Sequence, residues 1–150
     1  MPSVIALLFI ALLTALGCST SVSSPTAGTV RPASEPQRRT VAIDGVTLSI
    51  LEAGTGAPVI YVHGVVTTSN IFPKYLAAYS PDYRGIAVDL RGYGETDRPP
   101  HLEDYDIHHL VGDLVGLLDA LAIERAVIVG HDWGGVIVWW MALMQPARVE

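Results

Sequence analysis

Residues 127–140 read VIVGHDWGGVIVWW: an apolar run, a group of small residues around one acid, then a second apolar run. Asp132 stands at the tip, where a strand turning straight into a helix exposes one side chain above a sheet. Such a turn crowds its own neighbours, and Gly130, Gly134 and Gly135 are the residues that leave room. A serine there must lose a proton before it attacks, whereas an aspartate is already an anion at neutral pH. Asp132 is therefore suited to in-line displacement at a saturated carbon, which forms an alkyl ester on the protein. Hydrolysis of that ester by a base-activated water passes through an oxyanion, which needs a pair of hydrogen-bond donors. The first amides of the following helix point toward the same place. The plainer alternative is that Asp132 only caps that helix; the surrounding glycines and Trp133 favour the nucleophile.

The elements that must hold this turn are legible upstream. TVAIDGVTLSILEAG is a pair of alternating apolar runs broken by Asp44-Gly45, a hairpin signal. APVIYVHG, GIAVDLRG and RAVIVGHD are continuous apolar runs of the kind found in strands covered on both faces. Helical periodicity fills residues 71–79 and 107–121, where Leu110, Leu114, Leu117, Leu118 and Leu121 share one face. A hairpin followed by alternating strand and helix predicts an α/β fold: a mostly parallel sheet with helices on both faces. Chemistry is then expected at the carboxyl ends of the strands, which carry His63-Gly64, Arg91-Gly92-Tyr93-Gly94 and Asp132.

Half of the 150 residues are hydrophobic, enough for one core, assigned to residues 41–150. The net charge of −6 and the scattered basic residues exclude a nucleic-acid surface. Residues 1–18 read as a signal peptide or lipoprotein signal, with Cys18, the sole cysteine, as the lipidation candidate. Residues 19–40, rich in Ser, Thr, Pro, Gly and Ala, read as a flexible linker in which Arg31, Arg38 and Arg39 are solvated. The expected location is thus exported: periplasmic, lipid-anchored through a membrane tether, or secreted. No cofactor is called for. His101, His108 and His109 lack carboxylates at ligand spacing and read as surface histidines, so no metal is expected.

The motifs YVHG, DLRGYGETDRP, HHLVGDLVGLLDAL and VGHDWGG, in this order and spacing, resemble the α/β-hydrolases, and within them the soluble epoxide hydrolase and haloalkane dehalogenase branch. The resemblance runs from about residue 41 to 150 and implies an α/β-hydrolase fold with Asp132 as nucleophile. It assigns the oxyanion donors to the amides of Val65 and Trp133, the support of their turn to His63 and Gly64, and the elbow to Gly130 and Gly134. It turns His131 into the sheet and sets the loop of Asp89 and Arg91 at the border of the site. The partner it implies is a small-molecule epoxide or alkyl halide. DLRGYGETDRPP and HLVGDLVGLLDAL favour the epoxide hydrolases. Val65 lacks the side-chain donor that an asparagine supplies in one dehalogenase subgroup, although the Trp133 indole would serve a halide. Val65-Val66 in turn replaces the aromatic-proline pair usual in epoxide hydrolases. The alternatives are a haloalkane dehalogenase and a non-catalytic, truncated hydrolase remnant.

In that family the acid and histidine follow the nucleophile in the chain. The sequence is therefore expected to hold the N-terminal part of the fold, to end after the elbow helix, and to stall at the ester. The fifth strand and the helix after it are expected to expose apolar surface, with self-association as the consequence. On an apolar helix Trp139 and Trp140 read as core, although in a chain ending after that helix Trp139, Trp140, Met141 or Met144 is expected to form the exposed patch; Asp104, Asp106 and Asp113 read as helix-start or solvent-facing acids, and Asp89 with Arg91 as a surface ion pair. Gly92-x-Gly94 reads as a tight turn rather than a dinucleotide loop, since Asp97 takes the place of the third glycine.

Overall fold

A computed structural model describes residues 32–150. Cys18, the leader reading and the first part of the linker reading lie outside the described residues. The hairpin forms from β1 (Gln37–Ile43) and β2 (Val46–Ala53), paired antiparallel with Ile43 opposite Val46 across Asp44-Gly45. It is followed by β3 (Ala57–Val62), α1 (Pro73–Tyr79), β4 (Tyr83–Val88), α2 (Ile107–Ala120), β5 (Val127–Gly130) and α3 (Trp133–Met144). The sheet order is β1-β2-β4-β3-β5. β2 meets β4 antiparallel, whereas β3 pairs parallel with both β4 and β5. The last three strands therefore run the same way, and the loops after them gather at one end of the sheet.

Both faces of the sheet at β3 and β4 are covered, which is why those strands read as unbroken apolar runs. On one face Leu48, Ile50, Ile60, Val62, Ile86 and Val88 pack with Leu110, Leu114, Leu117 and Leu118 of α2 and Ile137 and Met141 of α3. On the other, Leu51, Val59, Tyr61 and Ala87 pack with Phe72 and with Leu76 of α1. Neighbouring residues of β3 thus serve opposite faces, as a strand's two-residue period requires. α2 starts at Asp106, whose carboxylate accepts the His109 N–H at 2.9 Å. Asp106→Ala leaves that amide without its cap, and a drop of a few degrees in melting temperature is expected by circular dichroism.

Several expectations need correction. β1 begins at Gln37, inside the stretch read as linker to residue 40, because Arg38 and Arg39 are recruited by charge as well as by strand pairing. Arg38 pairs with Asp89 at 2.9 Å, and Arg39 and Arg84 share Glu52 at 2.7 and 2.6 Å. Asp89 is buried and does not pair with Arg91 at the surface. Arg91 is buried as well and grips Asp113 through two nitrogens at 2.7 and 2.6 Å, while also donating to the Asp104 carbonyl. Asp113 is therefore an interior anion of α2 rather than a solvent-facing acid.

Trp139 and Trp140 are exposed, at 73% and 44%, while Ile137 and Met141 are the buried residues of α3. β5 is an edge strand in this sheet, with Val127 and Val129 exposed. Among the described residues no helix is long and apolar enough to cross a membrane, and no three His, Cys, Asp or Glu residues are grouped to hold a metal ion.

Candidate active site

The turn from β5 to α3 is built from close backbone approaches. A Cβ at Gly130 would overlap the Gly134 carbonyl, and one at Gly134 would overlap the Val62 carbonyl and lie 2.6 Å from that of His63. Gly135 differs, because its nearest non-neighbour atom would be 3.7 Å away, an ordinary contact. Asp132 itself adopts φ 55° and ψ −120°, a conformation that costs a non-glycine residue free energy and marks sites where geometry is imposed. It makes no side-chain cap to α3, contrary to the plainer reading of the sequence.

The Asp132 carboxylate is exposed and faces the turn after β3. Its Oδ1 accepts the Val65 N–H at 3.0 Å, and the Trp133 amide, next in the chain, contributes to stabilising the same carboxylate. Gly64 makes the approach possible, since a Cβ there would come within 2.5 Å of Oδ1. The Val65 and Trp133 amides, with a smaller contribution from His131, hold the Asp132 carboxyl below the usual carboxylate range. A lowered value keeps the anion as pH falls. Alkylation of Asp132 by an excess of a small epoxide is accordingly expected to fall with pH around a midpoint below the ordinary carboxylate value. A decline centred at or above the ordinary carboxylate value, followed by intact mass, would show that the two amides do not stabilise the anion.

His63 is fully buried at the end of β3 and has both ring nitrogens engaged. The Leu90 N–H donates to Nε2 at 3.1 Å, so Nε2 carries no proton, and Nδ1–H donates to the Gly64 carbonyl at 2.8 Å. Burial pushes its pKa down, against smaller upward contributions from Gly64 and Asp89. Tyr93 stands edge-on to the ring at 4.9 Å. His63 is thus a neutral brace with no free lone pair. His131 is exposed rather than turned into the sheet: it lies on the β5 edge, and its N–H donates to the Val62 carbonyl at 3.0 Å. His101, His108 and His109 are exposed too.

Every residue singled out around the elbow in the sequence, namely His63, Gly64, Val65, Gly130, Asp132, Trp133 and Gly134, lies at this strand end; Cys18 lies outside the described residues. Sequence reasoning set the loop of Asp89 at the border of the site but missed the polar set it joins behind the Val65 turn: Arg38, Ser49, Ser69 and Thr96. Burial pushes the Asp89 carboxyl up, but the Ser69 backbone and hydroxyl and the Arg38 charge outweigh it and leave the value lowered. Asp89 directly after a strand was visible in the sequence, but its partners sit 20 and 51 positions away.

The profile of a family described as alpha/beta hydrolase fold matches residues 57–150. The chain is 46% identical over 117 residues to epoxide hydrolase A of Mycobacterium tuberculosis, covering 76% of this chain and 36% of that protein. It is 45% identical over 111 residues to an epoxide hydrolase of Caballeronia sordidicola, covering 73% and 34%. The crystal structure of an epoxide hydrolase from Vigna radiata superposes with a TM-score of 0.74 at 37% identity, covering 77% of this chain and 36% of the other. The chain spans about a third of the length of the relatives it matches.

Proposed function

We propose, on the premise that this chain belongs to the alpha/beta hydrolase fold family, that it carries the nucleophile half of an epoxide hydrolase site. The observation that carries this reading is the Val65 N–H donated to Asp132 Oδ1 at 3.0 Å across the elbow. With Oδ1 held by the Val65 N–H, Oδ2 is the oxygen that attacks. It forms a bond to an epoxide carbon, the carbon–oxygen bond of the ring breaks, and the released alkoxide takes a proton. The product is a hydroxyalkyl ester on Asp132. When water adds to the ester carbonyl, negative charge develops on the oxygen already bonded to the Val65 N–H, so the oxyanion is met by a donor that needs no rearrangement.

The likeness to epoxide hydrolases supports an epoxide over an alkyl halide as substrate, as does Val65, which offers a halide no side-chain donor. Localisation by export and a tether through Cys18 belong to the same proposal and rest on the sequence alone.

The test is to incubate the protein with a styrene-type oxide and, separately, with a bromoalkane. An adduct on Asp132 with the full mass of the epoxide, or diol release, supports the proposal. Bromide release with no reaction toward the epoxide would replace it with the dehalogenase reading, and inertness toward both would leave the non-catalytic one.

A further inference from the structure

Behind the Val65 turn lies a polar set whose geometry goes beyond holding strands together. We propose that the Arg38–Asp89 ion pair is a positioning device for this turn, keeping the Val65 amide on the Asp132 carboxylate. The inference deepens the proposed function and rests on it for its catalytic meaning.

The turn behaves as one body. The Thr67 N–H donates to the Gly64 and Val65 carbonyls at 3.3 and 3.1 Å, and the Thr67 hydroxyl bridges the Gly64 N–H and carbonyl at 3.2 and 3.1 Å. The orientation of such a unit depends on what holds its far end. That hold is Ser69, whose N–H donates to Asp89 Oδ1 at 2.7 Å.

Asp89 is in turn immobilised from several sides. Its N–H donates to the Ser49 carbonyl at 2.9 Å, its carbonyl accepts the Thr96 hydroxyl at 2.6 Å, and its Oδ2 accepts Arg38 Nη1 at 2.9 Å. The same guanidinium reaches past Asp89 to the turn itself, donating from Nη2 to the Asn70 side-chain oxygen at 2.7 Å and to the Ser69 hydroxyl at 3.3 Å. Nη1 also donates to the Ser49 hydroxyl at 2.6 Å. One planar fork therefore ties β1, β2, the end of β4 and the turn after β3 into a single rigid corner. Rotating the turn to withdraw Val65 from Asp132 would break the Ser69 bond and strip charge-assisted bonds from a carboxylate only 1% exposed.

Two variants test this. Arg38→Lys keeps the positive charge but loses the fork that spans Asp89, Ser69 and Asn70. Asp89→Ala removes both the acceptor for Ser69 and a negative charge. The readouts are the midpoint of the Asp132 carboxylate titration by carbon NMR and the hydrogen exchange rate of the Val65 amide. The Ile86 amide in the middle of the sheet is the reference for global opening.

Positioning raises the Asp132 midpoint in both variants, because the Val65 bond that stabilises the anion is loosened. Charge alone predicts the opposite sign for Asp89→Ala, since losing a neighbouring anion lowers the midpoint of another carboxylate. The Val65 amide is expected to exchange about fivefold to tenfold faster, the protection of one ordinary hydrogen bond, with Ile86 unchanged. An unmoved midpoint in Arg38→Lys, a lowered one in Asp89→Ala, or equal acceleration of Ile86 and Val65 would each overturn the proposal. If Asp89→Ala does not fold, Arg38→Lys alone decides. Epoxide adduct formation by the parent chain is scored separately: a parent that labels while its variants leave the midpoint unmoved sinks only the positioning role. A parent that does not label, with midpoints that rise, sinks only the function.

Discussion

Asp132→Asn is expected to abolish covalent labelling by an epoxide while leaving the fold intact. The substitution removes the anion, and a neutral amide oxygen is a far weaker nucleophile, so the labelling rate should fall on the order of 10⁴-fold or more. The structural cost is small for specific reasons. Asparagine is isosteric with the aspartate that already adopts φ 55° and ψ −120°, so the backbone strain is the same in both. Its side-chain oxygen can still accept the Val65 N–H that Asp132 Oδ1 accepts now. Intact mass spectrometry after timed exposure to a styrene-type oxide measures the rate, and circular dichroism checks the fold. Labelling at the parent rate would remove Asp132 from the reaction.

Gly134→Ala is expected to unfold the elbow, and Gly135→Ala, one residue along the same helix, is not. At Gly134 a methyl group would be driven into the Val62 and His63 carbonyls, and both are backbone, so α3 must lift off the end of β3. A cost of roughly 3 kcal/mol or more follows from overpacking against atoms that cannot yield. The lift also carries the Trp133 amide away from the carboxylate, so labelling of Asp132 should fall with stability. Gly135 has ordinary clearance and sits inside a helix, where alanine is the better former by about 0.5–1 kcal/mol. Urea unfolding of the two variants should therefore move the midpoint in opposite directions. Equal shifts would mean that the close seating of α3 on β3 does not set the elbow.

The contrast between these glycines shows how far the residues could be read. GHDWGG marks a crowded turn, but both glycines after Trp133 look equally necessary until the Val62 and His63 carbonyls are located. The helix after the turn poses a similar problem. α3 is apolar on nearly every side, so its sequence has no period that selects an inward face. Packing against the sheet buries Ile137 and Met141 and leaves Trp139 and Trp140 outside, the reverse of what residue type suggests for the tryptophans. α2 offered no such ambiguity, because its leucines recur at helical spacing and Leu110, Leu114, Leu117 and Leu118 are all buried.

What the sequence determined by itself is therefore local: the hairpin at Asp44-Gly45, the runs that become β3, β4 and β5, the faces of α2, and an acid held at a glycine-lined turn. These follow from the period of apolar residues and from turn chemistry, both of which act over a few positions. The tertiary structure alone decided the charge partners. Asp89 and Arg91 are two positions apart, yet Asp89 takes Arg38 from β1 and Arg91 takes Asp113 from α2. A charge buried on folding must find a partner wherever the sheet and helices bring one within reach, and that choice depends on strand order, which no short stretch of sequence encodes. The same holds for the meeting of Val65 with Asp132, 67 residues apart in the chain and 3.0 Å apart at the end of two parallel strands.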